Sequence, residues 1–196
     1  MNELTASNVR LTELLSLEHR LIERGVVVLA RLCAHLRRGG ELPGDEAREL
    51  LRFIRGYADR HHHAKEEDLL FPWMRSLSPQ LEAGPLAVML TDHEHGRGFV
   101  GAMAAALDGG ATDLFVANGE AYASLLARHI WKEDHILYPM ADALGGGTAG
   151  LYDPVPNEER AAEEVEREFR AVIERLERAA DAWPPEDVEW PQGCHQ

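Results

Sequence analysis

The sequence predicts an all-α protein: an antiparallel, up-down-up-down four-helix bundle with an additional C-terminal helix. Three observations carry this prediction. Long stretches repeat apolar residues at intervals of three and four. No segment alternates apolar and polar residues as a strand would. The breaks between helical stretches are short and rich in glycine and proline. Short connections between long amphipathic helices make sequential helices antiparallel neighbours.

The first helix is predicted over about 10–38, where Leu15, His19, Ile22, Val26, Leu29, Cys33 and Leu36 form one seam and Gly39-Gly40 stops it. Pro43-Gly44-Asp45 opens a second helix that reaches about Met74. A third runs from near Pro85 to Gly109-Gly110, with Leu86, Leu90, His93, Val100, either Met103 or Ala104, and Leu107 inward. A fourth covers about Thr112 to Leu144; its inward line reads Phe115, Tyr122, Leu125, His129 and Glu133, leading to Ile136 and Met140. Residues 1–144 are therefore read as the bundle, and 145–156, with GGGTAG and two prolines, as a linker. Residues 157–183 form an amphipathic helix with Asn157 as N-cap. Its stripe, Val165, Phe169, Val172, Leu176, Ala180 and Trp183, must cover either the bundle or a second copy in a homodimer. Residues 184–196 read as an irregular tail.

Composition narrows the function. A net charge of −14 disfavours nucleic acid and anionic membrane surfaces as partners, since both require positive patches. No apolar run approaches the roughly 20 residues of a membrane span. The first ten residues lack a basic stretch followed by an apolar one, and two cysteines, Cys33 and Cys194, make no disulfide framework. The expected location is cytoplasmic.

Two segments carry the chemistry. HHHAKEEDLLFP (61–72) and HIWKEDHILYP (129–139) share one template: His, two residues, Lys, Glu, an acid, one residue, an aliphatic, Leu, an aromatic, Pro. The two lysines of the chain, Lys65 and Lys132, both lie in it; outward-facing helix formers are the default reading for them. Aligning the copies pairs His62 with Glu66 and His129 with Glu133, four residues apart and so on one helix face. Stepping back from His62 gives Ala58, Ile54 and Leu51, an apolar line, whereas His63 looks back on Asp59, Gly56 and Arg52. A buried carboxylate is costly unless a cation compensates it. His19 and His93 are the inward histidines of the odd-numbered helices.

The heights agree. At ~1.5 Å per residue, His19 and the His62/Glu66 pair both lie roughly 25–32 Å from the first loop. His93 and His129 match to within about a turn about the third loop. Four histidines and two glutamates converge on one layer. Six ligands exceed a tetrahedral zinc site and suit two ions with open positions, which favours non-haem iron, with manganese or zinc as alternatives. His61, His63, His95 and His135 are read as flanking residues or supports of the ligands, and Glu67 and Asp134 either as groups that orient ligands or as ordinary solvated acids. His35 and His195 carry no signal, and of Tyr57, Tyr122 and Tyr138 one near the metals could donate a proton.

LEHRLIE (17–23), HHHAKEEDLLFP (61–72), DHEHGR (92–97) and HIWKEDHILYP (129–139) together resemble the hemerythrin-like HHE cation-binding family over about residues 10–144. The resemblance implies a four-helix bundle with a di-iron centre held by His19, His62, Glu66, His93, His129 and Glu133. It also implies oxygen- or nitric-oxide-related chemistry with roles in sensing, iron handling or stress. Two departures stand out. Oxygen-carrying hemerythrins have a further histidine where this chain has Arg97, and an aspartate where it has Glu133. One imidazole fewer leaves room for another ligand or for redox chemistry. The leading expectation is a di-iron protein that binds or senses oxygen, nitric oxide or iron, with no catalytic residue beyond the ligands. The alternatives are a di-iron redox enzyme acting on peroxide, oxygen or nitric oxide, and a metal-stabilised regulatory bundle.

Overall fold

In the computed structural model, residues 9–154, 156–183 and 185 are described; the predicted tail, with Cys194 and His195, lies outside them apart from Pro185. Helix α1 is Leu11–Arg37. Helix α2 runs unbroken over 44–77: α-helical at Gly44–Phe53, π-helical at Ile54–His63 and Glu66–Leu70, and α-helical again at Phe71–Leu77. Helix α3 is Ala87–Asp108. Helix α4 covers 112–142, with a π turn at Glu133–Leu137 between Thr112–Lys132 and Tyr138–Asp142. Helix α5 is Pro156–Ala180, so Asn157 falls inside its first turn rather than at the cap. No strand occurs among the described residues beyond an isolated bridge between Arg10 and Ala149.

Each of α1–α4 packs on two others, in the order α1, α2, α3, α4 and back to α1. Local chemistry explains the ends. Gly39 takes a positive φ of 84°, and its N–H and that of Gly40 donate to the Leu36 and His35 carbonyls, closing α1. The 145–156 linker is pinned at its start: Thr148, buried, shares its hydroxyl with Thr12 and Asp142, and its carbonyl accepts from Leu11 N–H.

Helix α5 lies on α1 and α2. Its apolar stripe, Phe169, Val172, Leu176, Ala180 and Trp183, is buried within the chain. Phe169 seats against Gly56, where an added Cβ would stand 2.4 Å from the ring, and packs edge-on to Phe53. Arg24 grips Glu177 with two hydrogen bonds of 2.8 Å. A homodimer through this stripe would have to displace it from the bundle.

The core is split in two. One apolar cluster joins Leu29, Leu32, Phe53, Met103, Phe115 and the α5 stripe; the other joins Leu15, Leu70, Met74, Met89, Leu137 and Ala141. The polar layer described next lies between them. Two predicted inward positions are corrected. Leu90 is 44% exposed, and Met89 turns inward instead. The true line is Leu86, Met89, His93, Gly96, Val100 and Met103, and Gly96 has no side chain to reveal it. Ile136 is 46% exposed while Leu137 and Ala141 are buried. The π turn after Lys132 holds one residue more than an α turn, so the inward face advances by one position.

Candidate metal centre

All six predicted ligands are buried and meet in one layer. Among the described residues, two groups bring one ligand atom each within 4.8 Å of one another: His63, Glu66, His93 and His129, and His19, His62 and Glu133. The two carboxylates connect the groups. Glu66 Oε2 lies 3.4 Å from His93 Nε2 and 3.8 Å from His62 Nε2. Glu133 Oε1 is 3.1 Å from His129 Nε2, and its Oε2 is 3.3 Å from His19 Nε2.

His63 is the addition. Read from its neighbours in sequence it belongs to a polar flank, yet it is only 7% exposed and stacks on His93 with centroids 3.9 Å apart. The π-helical stretch Ile54–His63 explains this. Hydrogen bonding from i to i+5 widens the turn and lets both His62 and His63 face the core.

Each of the four remaining histidines is braced through Nδ1. His62 donates to Glu18 (2.9 Å), His19 to Asp134 (2.9 Å), His93 to Glu67 (2.7 Å) and His129 to Asp92 (3.4 Å). An ionised carboxylate only accepts, so each Nδ1 carries a proton, and each Nε2, once free of a second proton, presents a lone pair to the centre. Glu67 and Asp134 thus hold the His93 and His19 rings, the first of the two readings that the sequence offered for them. Glu18 and Asp92 were missed, although each directly precedes an inward histidine, and that repeated acid-His pair was the signal available.

The lysines are corrected by the same network. Lys65 is buried and donates to Glu18 (2.8 Å), and Lys132 bonds Asp92. The bundle therefore has an internal two-fold pattern. The carboxylate before the odd-helix histidine receives the even-helix histidine and lysine, and the carboxylate after the even-helix glutamate receives the odd-helix histidine. Two positions break the pattern. His63 matches Ile130. Tyr138 matches Phe71, and its hydroxyl donates to Glu66 Oε1 (2.7 Å), 3.4 Å from His19 Nε2.

The other polar residues lie apart. His95 and His135 are exposed, His61 bonds Glu18 (3.1 Å), and His35 bonds the Glu41 carbonyl. Arg97 points away from the cluster and holds Asp59 and Glu67 (2.7 Å each), so it braces His93 indirectly.

The electrostatics follow from burial and pairing. Burial alone would raise the Glu18 carboxyl, but hydrogen bonds from His61 and His62 and the nearby Lys65 charge hold it well below the usual range. Asp92, likewise opposed by burial, is drawn down to about 2 by His129 and Lys132. Burial would lower His19, yet Asp134 and Glu133 raise it to about 10; Glu66 and Glu67 raise His93 to about 9 against the same penalty. Burial and the adjacent His93 push His63 well below its ordinary value. Burial, with Glu133 and Glu66 close by, pushes the Tyr138 hydroxyl well up.

The donor set fits a cation. His62 Nε2, Glu66 Oε2 and both oxygens of Glu133 are buried without a hydrogen-bond partner. The Nε2 atoms of His93 and His129 stand 3.0 Å apart; a proton on one of them makes this a hydrogen bond, and without it two lone pairs face each other. Positive charge between these atoms would relieve both penalties.

A helical bundle whose apolar core is interrupted by braced imidazoles and carboxylates belongs to the class of bundles built to hold cations. The family model described as the Hemerythrin HHE cation binding domain matches residues 10–141, and the chain belongs to that family. No curated protein and no solved structure matches the chain significantly. No helix among the described residues is long and apolar enough to cross a membrane.

Proposed function

We propose that this protein is a non-haem di-iron protein that binds or senses a diatomic ligand, oxygen or nitric oxide. One ion would be held by His63, Glu66, His93 and His129, the other by His19, His62 and Glu133. The observation that supports this is the pair of adjacent buried ligand groups joined by two carboxylates, of which Glu66 Oε2 and both Glu133 oxygens have no hydrogen-bond partner. Mixed imidazole and carboxylate donors suit iron, with manganese or zinc as competitors. Two iron ions would supply electrons that can be shared reversibly with the diatomic ligand. The chain's part is to fix the donors. The Nδ1 bonds hold each ring in one tautomer, Lys65 and Lys132 keep Glu18 and Asp92 ionised, and the two apolar clusters exclude water on either side.

A second reading, a redox enzyme acting on peroxide, oxygen or nitric oxide, is supported by asymmetry. The two ligand groups differ in number, and Tyr138 presents a buried hydroxyl beside the smaller one. Metal analysis and absorption spectra of anaerobically prepared protein, before and after air, decide between these. About two irons per chain and bands that shift reversibly with oxygen or nitric oxide support binding. Catalytic loss of peroxide supports the enzyme. Protein expressed with ample iron that carries none would remove both readings.

A further inference from the structure

A cavity of about 230 Å³ opens between α2, α3 and α4. Its inner end is formed by His63, His93 and His129, and its walls by Ile54, Val100, Tyr122, Leu125 and Leu126. The space is large for a diatomic molecule. A water's share of liquid volume is about 30 Å³, and an apolar protein cavity of about 150 Å³ accepts benzene.

The backbone keeps this space open. Gly96 and Gly101 of α3 line the cavity, and an added Cβ at Gly101 would meet nothing within 4 Å. Glycine is a poor residue for a helix interior, so two on one wall favour an open cavity over helix stability.

The charge at the cavity runs against the rest of the chain. Arg55, Arg60 and Arg97 line it, in a protein of net charge −14. Its two carboxylates are compensated: Asp59 is paired with Arg97, and Asp92 with Lys132 and His129. Arg55 and Arg60 make no ion pair or hydrogen bond among the described residues. They are five residues apart inside the π-helical stretch Ile54–His63. In an α-helix that spacing would point them apart; i to i+5 hydrogen bonding brings them close to one face.

We propose that this cavity is a binding site for a small organic acid, its apolar body between Val100, Tyr122 and Leu126 and its carboxylate at Arg55 and Arg60. The guest would lie beside the imidazoles of the larger ligand group. The proposal rests on the cavity and its charges and does not require that metal be bound.

Benzoate and its neutral analogue benzamide, titrated calorimetrically into the full chain with and without iron, provide the test. Benzoate should bind the metal-free protein about five-fold or more tightly than benzamide at low salt. An Arg55→Gln/Arg60→Gln double variant, altered only at exposed side chains, should lose that preference with unchanged iron content. Gly101→Leu, which fills open space on a helix, should weaken both ligands about ten-fold. No benzoate binding in either form, equal binding of the two probes, or a preference that survives in the double variant would overturn the proposal. Iron loading without benzoate binding would refute this site alone. Benzoate binding by a chain that takes up no iron would refute the di-iron reading alone.

Discussion

Glu18 shows how much one side chain can carry. Its carboxylate receives His61, His62 and Lys65 at once, from a position 4% exposed. Removing it leaves the His62 ring free to turn and the buried Lys65 ammonium with the His61 carbonyl but no counter-charge at hydrogen-bond distance. Glu18→Ala is expected to weaken metal binding by about 10–100-fold, measured by competition with a chelator. Unchanged affinity would show that the Nδ1 brace is incidental. Tyr138→Phe removes the hydroxyl that bonds Glu66 Oε1 and leaves that oxygen without a protein donor. The metal-free protein should lose about 1–3 kcal/mol in urea unfolding at unchanged m. A variant as stable as the parent would mean that Glu66 finds another donor.

At the scale of elements, three of the four π-helical segments among the described residues decide which residues reach the centre. They occur at Ile54–His63, Glu66–Leu70 and Glu133–Leu137, beside both His-x-x-x-Glu pairs. Helix α5 supports the longest of them from outside. Phe169 rests on Gly56 and packs against Phe53 and Tyr57, and Tyr57 stacks on His61 at 5.1 Å. Phe169→Ala is expected to cost about 3–5 kcal/mol, as a large aromatic deletion in a packed site does. Amide exchange in 156–180 should accelerate, while iron content measured on the folded protein stays the same. Loss of iron with α5 still protected would refute this division between support and site.

Across the whole molecule, protons and metal compete for one layer. In the metal-free protein the His19 ring, raised to about 10, and the His93 ring, raised to about 9, are protonated at neutral pH. Their stabilising contribution is complete below the unfolded histidine value of about 6.5 and is lost as pH rises through 9 and 10. The depressed carboxylates act oppositely. Asp92 contributes above its unfolded value of about 3.9 and loses that contribution as pH falls towards 2. The thermal midpoint of metal-free protein should therefore fall between about pH 7 and 10, and the metal-loaded protein should resist this fall. Metal must displace the ring protons, so its apparent affinity should rise over the same window. Calorimetry at pH 7 in buffers of different ionisation enthalpy should show net proton release on loading. Loading without proton release would place the charge elsewhere.

The sequence by itself determined the helices, their order and the six residues that meet at mid-height. Helix periodicity is local, and His62/Glu66 and His129/Glu133 are each paired across a single turn. Counting residues from the loops placed His19 level with the His62/Glu66 pair and His93 level with His129. Only the tertiary structure decided that His63 turns inward, that Met89 and Leu137 replace Leu90 and Ile136, and that the two lysines anchor Glu18 and Asp92. The reasons differ: Gly96 hides the Met89 line, π turns carry His63 and Leu137 inward, and the lysines meet their acids only across helices. A π turn shifts the face of everything beyond it, and a bond such as Glu18 to His62 joins residues 44 positions apart on two helices. Neither leaves a period in the chain, because both arise only when the helices pack together.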